Sequence, residues 1–176
     1  VILLDQRVIN QIATRRLRIV KYRGSPHGTN EYPFLIDDKG FLVLPITMVA
    51  LTYPAPKDFA STGVADLDKM LDGKGYYRGS TTMISGSAGT GKSSLAAQFI
   101  DGRCASGEQC IYFAFEESPE QIMRNMRSIG INLEKWVKRG QLLIHASRPA
   151  TFGLEMHISM MLKLVEEHRP SSVVLD

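Results

Sequence analysis

The run Gly86-Ser87-Ala88-Gly89-Thr90-Gly91-Lys92-Ser93 fits the pattern G-x-x-x-x-G-K-[ST], a spacing that can cradle a phosphate chain. Glycines let the backbone wrap closely, so that successive N–H groups point at a β-phosphate. Lys92 then reaches the β- and γ-phosphates as a point charge, and the Ser93 hydroxyl can ligate Mg²⁺. With Ser94 these residues make up the candidate nucleotide-binding set. A chance glycine loop would need no particular neighbours. Here Thr81-Thr82-Met83-Ile84-Ser85 reads as a β-branched strand before the loop, and Ser94 to Ile100 reads as a helix after it. Strand, loop and helix in that order are the setting the motif requires, and they imply a nucleoside triphosphate site.

Acids that could act on such a ligand stand at two further places. Glu116 and Glu117 follow the apolar run Cys110 to Phe115 and precede a helix start. In open α/β sheets ligands sit beyond the carboxyl ends of strands, where a carboxylate can orient and deprotonate water or a hydroxyl for in-line attack. Successive strand residues face opposite ways, so one of the two would touch the nucleophile. A helix dipole also favours acids at that position, and position alone leaves both readings open. Asp176 closes Val173-Val174-Leu175-Asp176, which looks like the apolar run plus Asp of a Walker B strand; such an aspartate completes Mg²⁺ coordination with Ser93. Arg15, Arg16, Arg18, Lys21 and Arg23 form a basic cluster, which taken alone reads as a charged strand edge that discourages aggregation.

The elements that must position these groups divide the chain. Residues 1–50 read as β-rich: Leu17 to Lys21 can form a strand, and Tyr32 to Ile36 and Phe41 to Leu44 flank the hairpin signal Asp37-Asp38-Lys39-Gly40. Pro33 and Pro45 are expected at strand margins, and no long helix is expected over this piece. Residues 51–57, with Tyr53-Pro54-Ala55-Pro56-Lys57, read as a stiff linker. From residue 58 the pattern alternates. Cys110 to Phe115 is apolar on both faces, as in a buried parallel strand. Ser118-Pro119-Glu120-Gln121 marks a helix start with a capping box. Gln141 to Ala146 and Ser172 to Asp176 read as strands, and Leu154, Ile158, Met161, Leu162 and Val165 mark an amphipathic helix over 154–168. Alternation of this kind predicts an α/β fold, a parallel sheet with helices on both faces.

Composition narrows the function classes. The 176 residues are 44% hydrophobic and 22% charged, as in a globular domain. No apolar run approaches the roughly 18 residues of a membrane helix, and no signal peptide opens the chain, so no membrane role is expected. A net charge of +3 argues little for nucleic acid. Cys104 and Cys110 have no metal-ligand spacing and are expected to stay reduced in a cytoplasm. The helical methionines read as core, and His145, His157 and His168 as structural or exposed.

Ser61-Thr62-Gly63, Leu67-Asp68, the stretch from Gly75 to Gly79 and the P-loop resemble the entry to a RecA-like ATPase domain. Phe113-Ala114-Phe115-Glu116-Glu117-Ser118 narrows the resemblance to the KaiC family, the clock ATPase and autokinase of cyanobacteria. Lys21-Tyr22-Arg23-Gly24-Ser25-Pro26-His27-Gly28 and Asn30 to Phe34 do the same, and the likeness covers nearly the whole chain. The resemblance implies tandem RecA-like P-loop domains, a homohexameric ring with ATP and Mg²⁺ between subunits, serine/threonine autophosphorylation and clock-type protein partners. On it, residues 1–50 are the β-rich tail of a first domain and 58–176 the start of a second. Lys21, Arg23 and His27 would reach a neighbouring subunit's ATP, as an arginine finger does. Glu116 and Glu117 match the family's catalytic glutamate pair, with Lys92 beside them.

The chain also departs from the family pattern. It holds no first-domain P-loop, and it stops at Asp176, before the family's Ser/Thr phosphorylation sites, so it reads as a segment of a larger protein. Alone it is expected to hydrolyse ATP poorly. Two other readings share the motifs: a KaiC-like ATPase acting as an assembly switch with no clock role, and a RecA- or RadA-like recombinase acting on DNA.

Overall fold

Alternating apolar and charged residues draw the N-terminal stretch into antiparallel strands. The computed structural model describes residues 1–9, 12–37, 40–43, 55–151 and 153–176. They fall into two units, Val1–Tyr53 with Arg148–Glu166 and Pro54–Ser147 with Glu167–Asp176.

In the first unit, β1 (Ile2–Ile9), β2 (Ile12–Ile19), β3 (Glu31–Asp37) and β4 (Gly40–Val43) form a four-stranded sheet in the order β1-β2-β3-β4. Strand β1, which the sequence reading missed, pairs with β2 from Ile2↔Ile19 to Ile9↔Ile12. Glu31 gathers Arg7 (2.9 Å) and Arg16 (3.1 Å), so part of the basic cluster is neutralised within the sheet. Tyr32 and Phe34 are buried, and the Phe34 ring stacks on Phe41 at 4.3 Å. Pro33 lies inside β3 rather than at its margin. The β2 ladder ends at Arg16↔Pro33 and the β4 ladder begins at Phe34↔Val43, so the missing N–H falls where the strand changes partner. Asp37 pairs with Gly40 across the expected hairpin; its tip (Asp38, Lys39), Pro45 and the start of the linker lie outside the described residues.

Helix α5 (Leu154–His168) has the expected bounds, but not the expected neighbours. Its residues up to Glu166 belong to the first unit, where Met156 and Ser159 line a small cavity with Thr14, Pro33 and Phe34. A long helix therefore does cover the antiparallel sheet. The face it buries is not the expected apolar stripe: His157 and Ser159 are buried, while Leu154 and Leu162 are exposed. His157 is buried and its Nε2 hydrogen-bonds the Pro149 carbonyl at 3.2 Å, a structural role as expected.

The second unit is built around three parallel strands, β7 (Cys110–Ala114), β8 (Leu142–Ala146) and β9 (Ser172–Leu175), in the order β8-β7-β9. Every residue of β7 is buried, as a central parallel strand requires. Cys110, Tyr112 and Ala114 pack with Ala97, Ile100 and Cys104 of α2 (Lys92–Ala105). Ile122 and Met126 of α3 (Pro119–Ser128) and Trp136 of α4 (Glu134–Lys138) complete that cluster. Ile111 and Phe113, pointing the other way, are buried as well. Cys104 and Cys110 are free thiols in this core. The fold class is α/β, as the alternation predicted.

Two polar knots tie this unit together. A short pair, β5 (Phe59–Ala60) with β6 (Tyr76–Tyr77), brackets α1 (Ala65–Met70). Between them Asp68 accepts hydrogen bonds from Ser61 Oγ (2.5 Å), Thr62 Oγ1 (2.7 Å) and the Thr62 N–H (2.8 Å), while Gln98 of α2 donates to the Gly63 carbonyl (3.1 Å). The Ser-Thr-Gly and Leu-Asp residues thus anchor the approach to α2. Elsewhere, Glu108 gathers Arg78, Arg103 and the Ser171 hydroxyl, the last at 2.8 Å.

One predicted strand is not there. Residues 81–85 form no strand and are exposed throughout. Branched residues favour β structure only against a paired, half-buried surface, and a groove of about 500 Å³ separates Thr81, Thr82 and Ile84 from Val173, Val174 and Leu175 of β9.

Candidate functional site

The P-loop enters α2 through Gly91, whose φ of 90° lies in the left-handed region that glycine adopts without strain. No side chain caps this helix, and no acid stands in its first turn. Its leading N–H groups and the positive end of its dipole are therefore available to an anion. Gly86 is required for a different reason: a Cβ there would lie 2.5 Å from Thr90 Oγ1. That hydroxyl donates to the Ser87 carbonyl at 2.9 Å and closes the turn. Lys92 Nζ donates to the carbonyls of Gly86 (2.9 Å) and Ser87 (3.0 Å), placing its charge over the loop. Ser87, Ala88 and Gly89 are exposed, while Ser93 and Ser94 are half-buried in the first turn.

Strand β7 delivers the glutamate pair. It ends at Ala114, and α3 begins at Pro119 under a capping box: Gln121 N–H donates to Ser118 Oγ (3.3 Å), and the Ser118 N–H donates to Gln121 Oε1 (2.9 Å). Glu116 and Glu117 are held between these fixed ends, both exposed. The structure separates them chemically. Glu117 accepts a hydrogen bond from Asn125 Nδ2 at 3.1 Å, whereas Glu116 makes no hydrogen bond or ion pair among the described residues. Asn125, half-buried on α3, carried no signal in the sequence.

Asp176 continues the β9 ladder. Its N–H donates to the Phe113 carbonyl (2.9 Å), and its own carbonyl accepts from the Phe115 N–H (2.8 Å). Asp176 and Lys92 line the same groove. Asp176 Oδ2 accepts a hydrogen bond of 2.5 Å from the Tyr112 hydroxyl. Burial first, then the hydrogen bond to Asp176 and its charge, push the Tyr112 phenol far above its ordinary pKa, so it stays protonated and donates. The one phenol in an otherwise apolar buried strand was the available clue to this residue.

Lys21, Arg23 and His27 belong to the first unit, in the irregular segment after β2. Lys21 and Arg23 are exposed and His27 is half-buried. No group of three or more His, Cys, Asp or Glu side chains converges on a metal site among the described residues. No helix there is long and apolar enough to cross a membrane.

A glycine-rich loop opening an uncapped helix, beside a parallel sheet in which β7 and β9 run on into acids, defines a P-loop nucleotide-binding α/β fold. Comparison with known proteins makes the class more specific. The family model described as "ATPase: KaiC" matches residues 1–48 and 60–176, and the chain belongs to the KaiC ATPase family. It is 47% identical over 176 residues to the "Circadian clock protein KaiC2" of Synechocystis sp., covering 100% of this chain and 31% of that protein. It is 37% identical over 163 residues to "Circadian clock protein KaiC3" of the same organism, covering 92% of this chain and 32% of that one. The "Circadian clock oscillator protein KaiC" of Synechococcus elongatus is 35% identical over 162 residues, with 92% and 31% covered. The chain thus spans about a third of the length of these relatives.

Proposed function

We propose that this chain is the nucleotide-binding part of a cytoplasmic KaiC-type ATPase that hydrolyses ATP and phosphorylates serine or threonine side chains of its own homohexameric assembly. Residues 1–50 are the tail of a first RecA-like domain and 58–176 the start of a second. The observation that carries this reading is the uncapped start of α2 with Lys92 over the loop and Asp176 on the same groove. Gly86 to Ser94 hold the phosphates. A serine hydroxyl and a carboxylate are hard oxygen donors that suit Mg²⁺, so Ser93 and Asp176 would hold the ion, leaving its other positions to phosphate and water. When bound, the ion neutralises charge on the β- and γ-phosphates.

Glu116 is the general base, because its carboxylate is uncommitted while Glu117 is engaged by Asn125. It takes a proton from water in hydrolysis or from a protein hydroxyl in phosphoryl transfer. Lys21, Arg23 and His27 supply cations to a neighbouring subunit's nucleotide.

The test is to incubate the full-length protein with γ-labelled ATP and follow label onto protein and into free phosphate. Glu116→Gln should lower both by about 10²- to 10⁴-fold, and Glu117→Gln should lower them less. Free phosphate without labelled protein would leave an ATPase switch in place of the autokinase, and DNA-stimulated release would point to a recombinase.

A further inference from the structure

Tyr112 is the one residue of β7 whose side chain carries a hydroxyl, and it is wholly buried. A phenol hydroxyl taken out of water is costly unless bonded, and phenylalanine would fill the same volume without that cost. Its partner is the Asp176 carboxylate, at 2.5 Å. The register explains the reach. Tyr112 lies opposite Val174 in the parallel ladder, and Asp176, two residues on, presents its side chain to the same face. The backbone bonds of Asp176 to Phe113 and Phe115 set it beside Ala114, whose methyl group leaves the path from ring to carboxylate open.

We infer that Tyr112 is a positioning residue for the cation-binding carboxylate: its hydroxyl holds Oδ2 of Asp176 and thereby fixes the rotamer in which Oδ1 serves a divalent cation beside the P-loop. This rests on the nucleotide-site reading above. The hydroxyl acts through Asp176, the partner it bonds. Removing a partner that orients a ligating carboxylate lowers metal affinity by about 10- to 100-fold.

The experiment uses the full-length protein and its Tyr112→Phe variant. Mn²⁺ binding is titrated by electron paramagnetic resonance in the presence of ADP, and ADP binding is measured separately in EDTA. Tyr112→Phe should weaken Mn²⁺ binding about tenfold and leave metal-free ADP affinity unchanged. Tyr112→Leu, which lacks the hydroxyl but differs in volume, should show the same Mn²⁺ loss. Equal Mn²⁺ affinity in wild type and Tyr112→Phe, with ADP still bound, overturns the role of the tyrosine alone. A loss confined to Tyr112→Leu also overturns it, because packing would then be the cause. Failure of the wild type to bind ADP in EDTA defeats the nucleotide-site reading and this inference with it.

Discussion

Replacing Glu108 by alanine should destabilise the second unit more than any exposed substitution. The Glu108 carboxylate accepts from Arg78, Arg103 and Ser171, and the Arg103 side chain is only 8% exposed. Glu108→Ala therefore leaves a buried guanidinium without its counter-charge, a change that costs about 3–5 kcal/mol. Arg78, 33% exposed, adds less because water screens it. For a chain of this size that loss lowers the melting temperature by roughly 6–20 °C. Trp136, the single tryptophan, sits in the second unit, so its fluorescence in a urea titration reports this unit alone.

The pH dependence sharpens this test. Burial pushes the Glu108 carboxyl up, but hydrogen bonds from Arg78, Ser171 and Arg103, with the charge of Arg103, outweigh it and hold it below the ordinary glutamate value. A depressed carboxylate stabilises the fold above its unfolded pKa, and that stability is lost as pH falls through the lower folded value. The gap between wild type and Glu108→Ala should be widest at neutral pH and close in acid. A gap under about 1 kcal/mol at pH 7, the size of a surface ion pair, would refute the buried clamp.

Two further substitutions probe the site's supports. Gly86→Ala should drive Thr90 off the Ser87 carbonyl, because the new Cβ would lie 2.5 Å from Thr90 Oγ1. Calorimetry should show ADP binding weakened at least about tenfold, or 1.4 kcal/mol, with the Trp136 unfolding midpoint unchanged. Ser118→Ala should remove one half of the capping box and lower stability by about 1 kcal/mol in the same urea assay; an unchanged midpoint would mean that α3 does not depend on its cap.

The parts legible in the sequence were those whose chemistry is local. The helix after the glycine loop, the Ser118–Gln121 box and the buried Cys110–Ala114 strand each announce themselves within a few residues, and each stands where it was expected. What stayed hidden depends on residues far apart in the chain. The branched run at 81–85 looked like a strand, yet strand formation is decided by a neighbour, and a groove stands where β9 would have to pair. The periodicity of α5 gave its bounds but not its inner face: Leu154 and Leu162 of the apolar stripe are exposed, while His157 and Ser159 are buried, because the face a helix buries is set by the elements it meets. Glu108 gathers partners from positions 78, 103 and 171, a convergence no window of sequence displays. Glu116 and Glu117 look equivalent until Asn125, nearly two turns into α3, engages one of them.

The glutamate pair sits on a span clamped at both ends, between buried Ala114 and the capped start of α3 at Pro119. Its length is therefore constrained as well as its composition. One inserted residue adds up to about 3.5 Å of chain, more than the few tenths of an ångström over which a hydrogen bond keeps its strength. An insertion or deletion here would carry Glu116 off its station even with every side chain of the span kept.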